Sequence, residues 1–303
     1  MQHYLENLWR RTLKKETGLT STWNQEIECL YQYNISLETV LQYLHFENPT
    51  LDTFIRWVEN HTSENNHNCR NTTENVLSDA DVQFWNKNGY IVIKNAISKE
   101  DCKATQQAIW DFLEMNPEEP KSWYRHHPQQ SGMMVNFSNH PVLNQNRESQ
   151  KIRKAYEQLY QTTELFKTVD KVSFNPPITE NYTFKGSGLH WDVSLHPPIP
   201  FGLQGLLYLS DCESHEGAFH CVPGFHTRIE AWLNQLPENT APRQFALKKL
   251  AKELIPIPGE TGDFIIWHQA LPHCATANHG LHPRMAQYLT YFPKNYKGNE
   301  IWI

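Results

Sequence analysis

The order of apolar and polar residues changes along the chain, from a helical period at the start to short alternating runs after residue 180. In the first 60 residues, apolar side chains recur three or four positions apart, which is typical of amphipathic helices. The helices predicted there cover residues 4–13, 35–44 and 53–58. Residues 61–77 are polar and contain few core-forming side chains, which predicts a linker. We therefore expect a helical N-terminal module at residues 1–76 and one larger domain at residues 77–303.

The larger domain begins with helix and strand signals. Ser78 and Ser98 are each followed three residues later by an aspartate, the capping-box pattern that begins a helix. The elements expected in this part are helices at 79–88, 98–115 and 153–166 and strands at 90–94 and 171–174. The loop at 116–148 is irregular and rich in aromatic residues, so it is a candidate wall of a binding site, with Arg125, His126 and His127 as candidate substrate contacts.

After residue 180, short runs with a period of two are separated by turn residues, which favours a β-barrel of two sheets. The predicted strands are 180–184, 189–194, 202–209, 218–222, 255–257, 264–268, 273–276 and 284–292. A segment with helical periodicity at 227–254 interrupts them. An insertion of this kind at the mouth of a barrel is expected to form a lid that selects the substrate.

Two features of the chain after residue 180 indicate a functional site. They are a His–X–Asp pattern in one predicted strand and an arginine at the start of the last one. In the predicted strand 189–194, alternation puts His190 and Asp192 on one face, about 6.5–7 Å apart, where an imidazole and a carboxylate can share one metal ion. Arg284, Ala286, Tyr288 and Thr290 likewise share one face of the last predicted strand. A buried arginine needs an anion, and its planar guanidinium matches a carboxylate, so a dicarboxylate is the expected guest.

These residues resemble the phytanoyl-CoA dioxygenase family of Fe(II)/2-oxoglutarate-dependent oxygenases. The resemblance rests on His190 and Asp192, residues 217–226, Gly262 and Asp263, Pro272 and His273, Asn278 and Arg284, with residues 84–94 upstream. It covers about residue 77 to residue 303. It implies a double-stranded β-helix (jelly-roll or cupin-like) with flanking helices, an α+β fold that is mainly β.

The resemblance also implies a site. Its facial triad of Fe(II) ligands falls on His190, Asp192 and His273, and its arginine for the distal carboxylate of 2-oxoglutarate falls on Arg284. Tyr208 falls where the family has an aromatic residue beside 2-oxoglutarate. The implied activity is that of a dioxygenase using O2 and 2-oxoglutarate to hydroxylate or otherwise oxidise a C–H bond, releasing succinate and CO2.

Some features leave alternatives open. His268 lies five residues before His273 and rivals it as the second histidine ligand; the resemblance favours His273. The family often has a serine two residues after this histidine, but here the residue is Ala275, so Thr276 and Thr290 are the candidates to replace it. Cys274, next to the proposed ligand, is expected to be a core residue that points away from the metal.

Composition narrows the partners further. The net charge is −6 and no run of lysine or arginine occurs, which argues against nucleic acid as the main partner. No apolar run reaches 18 residues and the N-terminus has no secretory pattern, so we expect a cytoplasmic protein without a membrane span. The six cysteines contain no CxxC pair and are expected to be reduced.

Two other function classes compete with the oxygenase. One is a non-oxidative cupin-type metal enzyme, an isomerase or lyase using Zn or Mn at the same ligands. The other is a binding module without catalysis. A small-molecule substrate is expected in either enzyme. A natural-product intermediate and an acyl-CoA both remain open, the latter because Lys248, Lys249 and Lys252 could meet phosphates.

Overall fold

The structure is a computed structural model that describes residues 1–16, 22–61, 74–184, 186, 188–237 and 240–299. Most of the predicted linker at 61–77 lies outside the described residues. The strands, numbered in chain order, are β1 (Tyr90–Ile93), β2 (Gln130–Ser131), β3 (Met134–Val135), β4 (Leu165–Lys167), β5 (Val172–Asn175), β6 (Leu203–Tyr208), β7 (Phe219–Cys221), β8 (Ile255–Ile257), β9 (Phe264–His268), β10 (His273–Ala275), β11 (Arg284–Tyr288) and β12 (Tyr291–Pro293).

These strands form antiparallel sheets. A seven-stranded sheet has the order β1-β9-β6-β11-β5-β3-β2, a three-stranded sheet has the order β10-β7-β8, and β12 pairs with β4. The register of the central strands is set by pairs such as Ala286 with Tyr208 and Ala286 with Ser173. The prediction of an α+β fold with antiparallel sheets is therefore confirmed, but more of the described residues lie in helices than in strands, so the fold is not mainly β. Closure into a double-stranded β-helix stays a prediction.

The central sheet is buried on both faces. Leu206, Tyr208 and Ala286 belong to an inner core that also contains Phe219 of the small sheet and Trp267 of β9, whose rings lie 4.5 Å apart. The neighbouring positions of the same strands, among them Leu203, Leu207, Phe264 and Met285, belong to an outer core covered by helices. Alternation along each strand thus supplies side chains to two cores.

Helices flank the sheets. They are Gln2–Trp9, which continues as a π-helix over Arg10–Lys14, Trp23–Gln32, Leu37–Glu47, Leu51–Glu59, Asp79–Asn88, Lys99–Leu113, Pro141–Arg147, Gln150–Tyr160, Ile229–Asn234 and Pro242–Lys249. Asp79–Asn88 begins with the predicted capping box between Ser78 and Asp81, and it ends at Gly89, whose φ of 75° favours glycine. Of the helices described, none combines the length and the apolar character that crossing a membrane requires.

Several predicted strands differ from the observed ones. Residues 189–194 form no strand beyond a single bridge from His190 to His273, and residues near 180–184 form only a bridge from Thr179 to Tyr182. The predicted strand 284–292 breaks after Tyr288 and resumes at Tyr291. The break after Tyr288 has a physical reason. The Thr290 carbonyl accepts a hydrogen bond from the Thr168 amide at 2.8 Å, and the residues that follow, Tyr291–Pro293, pair with β4 as strand β12.

The helix predictions also needed correction. The helix predicted at 153–166 ends at Tyr160, and residues 165–167 form β4 instead. Trp23–Gln32 was not predicted because its buried face contains Glu26, which accepts bonds from Arg11 at 3.1 Å and Thr22 at 2.7 Å. In the insertion at 227–254, the second helix begins at Pro242, a residue suited to a first helical turn, and ends at Lys249.

The N-terminal helices have an apolar core of their own. Its buried members include Leu8, Leu30, Val40, Leu44 and Phe54, and among the described residues the buried members of the two sheet cores begin at Leu77. Polar contacts join this unit to the sheets. They are an ion pair between Glu38 and Lys171, a 3.1 Å bond from Asn136 to Gln42, and a bond from Asn24 to the Tyr296 carbonyl.

We propose that residues 1–61 are a separately folded module, and a fragment of residues 74–303 tests this. The fragment keeps both sheet cores and the bonds from the Val76 and Leu77 amides to Gln158, so it should unfold in one cooperative transition. Loss of the partly exposed ion pair to Lys171 should by itself cost only about 0–1 kcal/mol, and removal of Tyr31, which is buried near Asp170 and Arg147, should add to this cost. Calorimetry and circular dichroism check this, and an unfolded fragment would show that the helices belong to the main core.

Candidate functional site

Three of the predicted site residues meet at one point. The potential ligand atoms of His190, Asp192 and His273 all lie within 4.8 Å of one another. The distance from Asp192 Oδ1 to His190 Nε2 is 3.6 Å, and the distance from Asp192 Oδ2 to His273 Nε2 is 3.2 Å. Neighbouring ligands of one octahedral ion with bonds of about 2.1 Å are about 3 Å apart, so this donor set fits a single metal ion.

Backbone contacts orient both imidazoles. His190 Nδ1 donates to the Gly188 carbonyl at 2.8 Å, and His273 Nδ1 donates to the Leu271 carbonyl at 3.0 Å. The amide of each histidine also donates to the carbonyl of the other at 3.0 Å. With Nδ1 bonded to a carbonyl, Nε2 of each ring is directed at Asp192, where it can donate to the carboxylate when it carries a proton and can bind a metal ion when it does not.

The carboxylate of Asp192 is held in its charged form. Burial opposes ionisation, but hydrogen bonds from His273 and Gln204 and the nearby His190 outweigh it and hold the pKa well below its ordinary value. The bond from Gln204 Nε2 to Asp192 Oδ2 is 2.8 Å long. Burial, with a smaller contribution from His273, lowers the pKa of His190, so that this imidazole stays neutral. The lowered pKa values of Asp192 and His190 reduce the competition of protons with a metal ion for these two side chains.

The segment with His190 and Asp192 is held by an arginine from the helical insertion. Arg243 Nη1 donates to the Trp191 carbonyl at 2.6 Å, and Arg243 Nη2 donates to the Val193 carbonyl at 2.8 Å. These carbonyls would bond to a neighbouring strand if the segment were a regular strand. Arg243 replaces that neighbour, which explains why the predicted strand 189–194 is absent although its two ligands converge.

Arg284 is buried at the inner end of β11. Its Nη1 donates to Ser173 Oγ at 3.0 Å, and its guanidinium lies 5.3 Å from the centre of the Tyr208 ring. Its Nε and Nη2 are buried and have no hydrogen-bond partner among the described residues. Burial opposes the charge of Arg284, but Tyr288, Tyr208 and Cys212 raise its pKa, so the guanidinium stays charged. It therefore offers two donors to an anion.

One cavity contains the triad and Arg284. It has a volume of about 560 Å³ and opens beside Asp192, whose side chain is 49% exposed. Apolar and aromatic side chains form most of the wall, including Leu206, Phe219 and Trp267. The volume of this cavity and its largely apolar lining are typical of sites that bind small molecules.

The other predicted cofactor contacts occupy different places. Thr290 lines the cavity, as its alternation with Arg284 predicted, and so does Ala275, whereas Thr276 does not. The Tyr208 hydroxyl donates to the Ile257 carbonyl at 2.7 Å and accepts from the Phe219 amide at 2.9 Å. Tyr208 would therefore affect the co-substrate site by supporting the Arg284 guanidinium, which lies above the Tyr208 ring.

Rival candidates lie away from the triad. His268 faces the opposite side of β9 and contacts His226, with ring centres 5.2 Å apart, and burial lowers its pKa to about 3. In the loop at 116–148, Arg125 pairs with Glu119 at 3.4 Å and His127 packs on Phe112, so neither lines the cavity.

Different residues of the same loop, Ser131, Met133 and Met134, do form part of the wall. Cys274 also lies in the wall, against the expectation that it points away, and burial raises the pKa of its thiol to about 11. Gln204, Arg243 and Asp170 were not identified from the sequence.

Replacing Arg243 by alanine tests how the metal-binding segment is held. Hydrogen bonds from a charged donor contribute about 1.5–3 kcal/mol each. Their loss should therefore raise amide exchange in residues 189–194 by about tenfold or more. Hydrogen–deuterium exchange measures this, and Lys248→Ala, an exposed substitution on the same helix, should leave the rates unchanged. Equal exchange in Arg243→Ala and the unaltered protein would contradict the role of this clamp.

Comparison with known proteins identifies the family. The family profile described as phytanoyl-CoA dioxygenase (PhyH) matches residues 85–286. A curated protein of Dictyostelium discoideum, named as a candidate phytanoyl-CoA dioxygenase, is 25% identical over 259 aligned residues, covering 70% of this chain and 74% of that protein.

Solved structures share the fold at lower identity. The non-haem α-ketoglutarate-dependent carbocyclase SnoK from nogalamycin biosynthesis is 20% identical, with a TM-score of 0.53 over 71% of this chain and 83% of that one. The epimerase SnoN in complex with Fe3+, α-ketoglutarate and nogalamycin RO is 17% identical, with a TM-score of 0.53 over 74% of this chain and 87% of that one. HygX from Streptomyces hygroscopicus with nickel, 2-oxoglutarate and hygromycin B is 14% identical, with a TM-score of 0.52 over 73% and 90%.

The solved structures, at 20% identity or less, show that the fold is shared. The match to the family profile shows membership of the family. The matched residues include the triad and Arg284 and make up more than half of the chain. This protein therefore belongs to the phytanoyl-CoA dioxygenase family.

Proposed function

We propose that the protein is an Fe(II)/2-oxoglutarate-dependent dioxygenase that oxidises a C–H bond of a small organic substrate. The observation that carries this proposal is the shared cavity of the His190–Asp192–His273 triad and the buried Arg284, whose Nε and Nη2 have no partner among the described residues. A metal enzyme without a dicarboxylate co-substrate has no need of this buried cation.

His190, Asp192 and His273 would hold Fe(II) as a facial triad. Two imidazole nitrogens and one carboxylate leave three coordination positions open, which suits a metal that must bind a co-substrate and O2. The low pKa of Asp192 and the fixed orientation of both imidazoles support this role. With 2-oxoglutarate and O2, such an iron centre supplies the oxidation of a C–H bond, with release of succinate and CO2.

Arg284 would bind the distal carboxylate of 2-oxoglutarate. Its Nε and Nη2 lie on one edge of the planar guanidinium and match the two oxygens of a carboxylate. Ser173 fixes the guanidinium through Nη1, and the Tyr208 ring supports its face. Tyr288, one of the groups that raise the pKa of Arg284, lines the same wall and would complete the pocket, with the small side chain of Ala275 where the family often has serine. Thr290, farther from Arg284 along the chain, would contact another part of the co-substrate.

The substrate would enter beside Asp192, where the cavity opens. Proteins that share this fold have been solved with small organic molecules, namely HygX with hygromycin B and SnoN with nogalamycin RO, which supports a small-molecule substrate here. The helical insertion, tied to the metal-binding segment by Arg243, would act as the lid. We also infer that the sheets form the double-stranded β-helix expected of such enzymes.

Replacing Asp192 by glycine tests the triad. The change removes the single carboxylate donor, so Fe(II) or Co(II) affinity should fall and oxidation of any substrate should be lost. The opened position would suit a halide ion, so added chloride should change the Co(II) absorption spectrum of this variant. Asp211→Asn, whose carboxylate bonds only to Thr261, is the control. Metal affinity at the unaltered level in Asp192→Gly would remove Asp192 from the ligand set.

Replacing Arg284 by alanine tests the co-substrate. A charge-assisted hydrogen bond contributes about 1.5–3 kcal/mol, equivalent to about a 10- to 150-fold change in affinity. Affinity for 2-oxoglutarate should fall by at least this factor while Co(II) binding persists. Arg284→Lys should recover only part, because an ammonium keeps the charge but not the planar pair of donors.

A co-substrate analogue provides the matched control for that experiment. 2-Oxopentanoate has the 2-oxo acid end but no distal carboxylate, so it should bind weakly to the unaltered protein and equally to Arg284→Ala. Calorimetric titration measures both ligands. Equal 2-oxoglutarate affinity in the two proteins would contradict the proposal and leave a non-oxidative cupin-type metal enzyme as the better candidate.

A further inference from the structure

A carboxylate lines the cavity at the end opposite Arg284. The Tyr288 amide donates to the Lys171 carbonyl at 3.1 Å, and the Thr168 amide donates to the Thr290 carbonyl at 2.8 Å. Asp170 therefore lies beside the C-terminal end of β11, whereas Arg284 begins this strand. The four residue steps from Arg284 to Tyr288 separate their backbone positions by roughly 13 Å. The Arg284 guanidinium extends part of this way toward Tyr288, whose side chain helps to raise its pKa. The cavity thus has a cation at its inner end and an anion near the end where Gln204 bonds to Asp192.

The protein does not neutralise this carboxylate with an ion pair. Asp170 Oδ1 accepts from the Lys171 amide at 2.8 Å, and Oδ2 has no hydrogen-bond partner among the described residues. The Lys171 ammonium pairs with Glu38 instead. Arg147 is also close, but it donates to the Asn144 side chain and to the backbone carbonyl of Asp170, both at 2.7 Å. Both neighbouring cations thus have other partners.

The position is electrostatically unfavourable for a bare carboxylate. Burial raises the pKa of Asp170 and outweighs the hydrogen bond from the Lys171 amide and the charges of Lys171 and Arg147, which lower it, while the charge of Asp192 adds a small further increase. A ligand cation would supply the missing compensation, since an opposite charge at close range favours the ionised carboxylate. The rest of this wall is mainly apolar, with Met133, Met134 and Leu206 among its side chains. An amine with a compact carbon skeleton matches both features.

On the basis of the proposed oxygenase function, we propose that the substrate is a small organic amine whose ammonium group binds Asp170. The charged group would fix one end of the molecule, and the apolar wall would contact its carbon skeleton between Asp170 and the metal. Asp170 is then a substrate-binding and specificity-determining residue. Lys248, Lys249 and Lys252, the candidate phosphate contacts of an acyl-CoA, are exposed, and none of them lines the cavity.

Binding of a matched pair of simple probes tests this proposal. Cyclohexylamine, which is protonated at pH 7, and cyclohexanol have similar shapes but differ in charge. Their dissociation constants are measured by ligand-observed NMR on the full-length protein loaded with Zn(II) and 2-oxoglutarate. The unaltered protein should prefer the amine by about tenfold or more, the effect of one charge-assisted hydrogen bond.

Asp170→Asn should reduce this preference to near one, because it keeps an acceptor for the Lys171 amide but removes the charge. Asp170→Glu should retain part of it. Asp111→Asn, the same chemical change on an exposed helical surface, should leave the preference unchanged. Thermal unfolding of each variant verifies that it is folded, and Asp170→Glu provides the test if Asp170→Asn is not.

Equal binding of the two probes to the unaltered protein, or an undiminished amine preference in Asp170→Asn, would overturn the proposal. Tight binding of an acyl-CoA such as hexanoyl-CoA in the cavity, displacing the amine, would also overturn it. Titration of 2-oxoglutarate into the same proteins separates this inference from the proposed function. If 2-oxoglutarate binds normally and the amine shows no preference, only the assignment of Asp170 fails.

Discussion

The buried charge of Arg284 is the constraint on which the arrangement of the site depends. A guanidinium in an apolar interior is strongly unfavourable unless hydrogen bonds and counter-charges compensate it. Here Ser173 accepts a hydrogen bond from one nitrogen and the Tyr208 ring covers one face, while Nε and Nη2 are buried without a hydrogen-bond partner among the described residues. The hydroxyl of Tyr208 is itself fixed by Ile257 and Phe219, so the support of the cation extends from β6 to the small sheet. An anion bound in the cavity would supply the hydrogen-bond acceptors and the negative charge that the protein does not provide for Nε and Nη2.

The position of the metal-binding triad depends on a second feature. Backbone hydrogen bonds between His190 and His273 hold the two histidines together where no regular strand forms. His190 and His273 exchange amide hydrogen bonds, and each donates Nδ1 to the carbonyl two residues before it. The pair forms an isolated bridge, so it needs further support on its outer side. Arg243 provides that support from the helical insertion. The element that would cover the substrate is thereby connected to the segment that would hold the metal.

The sequence predicted those parts of the fold that depend on local pattern. Alternation placed Arg284 on the inner face of β11, and Ser78 marked the start of a helix, because both signals lie within a few residues. Partners distant in sequence could not be predicted in this way. Gln204 and Arg243 bond to Asp192 and its neighbours across 12 and about 50 residues, and nothing in their local sequence distinguishes them from ordinary polar positions. The strand predicted at 189–194 is absent for the same reason, since its carbonyls bond to a side chain from a later helix.

The N-terminal helices acquire a structural role through the charge on the cavity wall. Glu38 pairs with Lys171, the residue after Asp170, and so holds the nearest ammonium outside the cavity. Tyr31, from the preceding helix, is buried near Asp170 and Arg147; burial raises the pKa of its hydroxyl, and the Asp170 charge adds to that effect. The charges of Lys171 and Arg147 already act on the Asp170 carboxylate and partly offset the effect of burial. Through Glu38 and Tyr31, the helical module therefore takes part in the electrostatic surroundings of this carboxylate, although it contributes no residue to the two sheet cores.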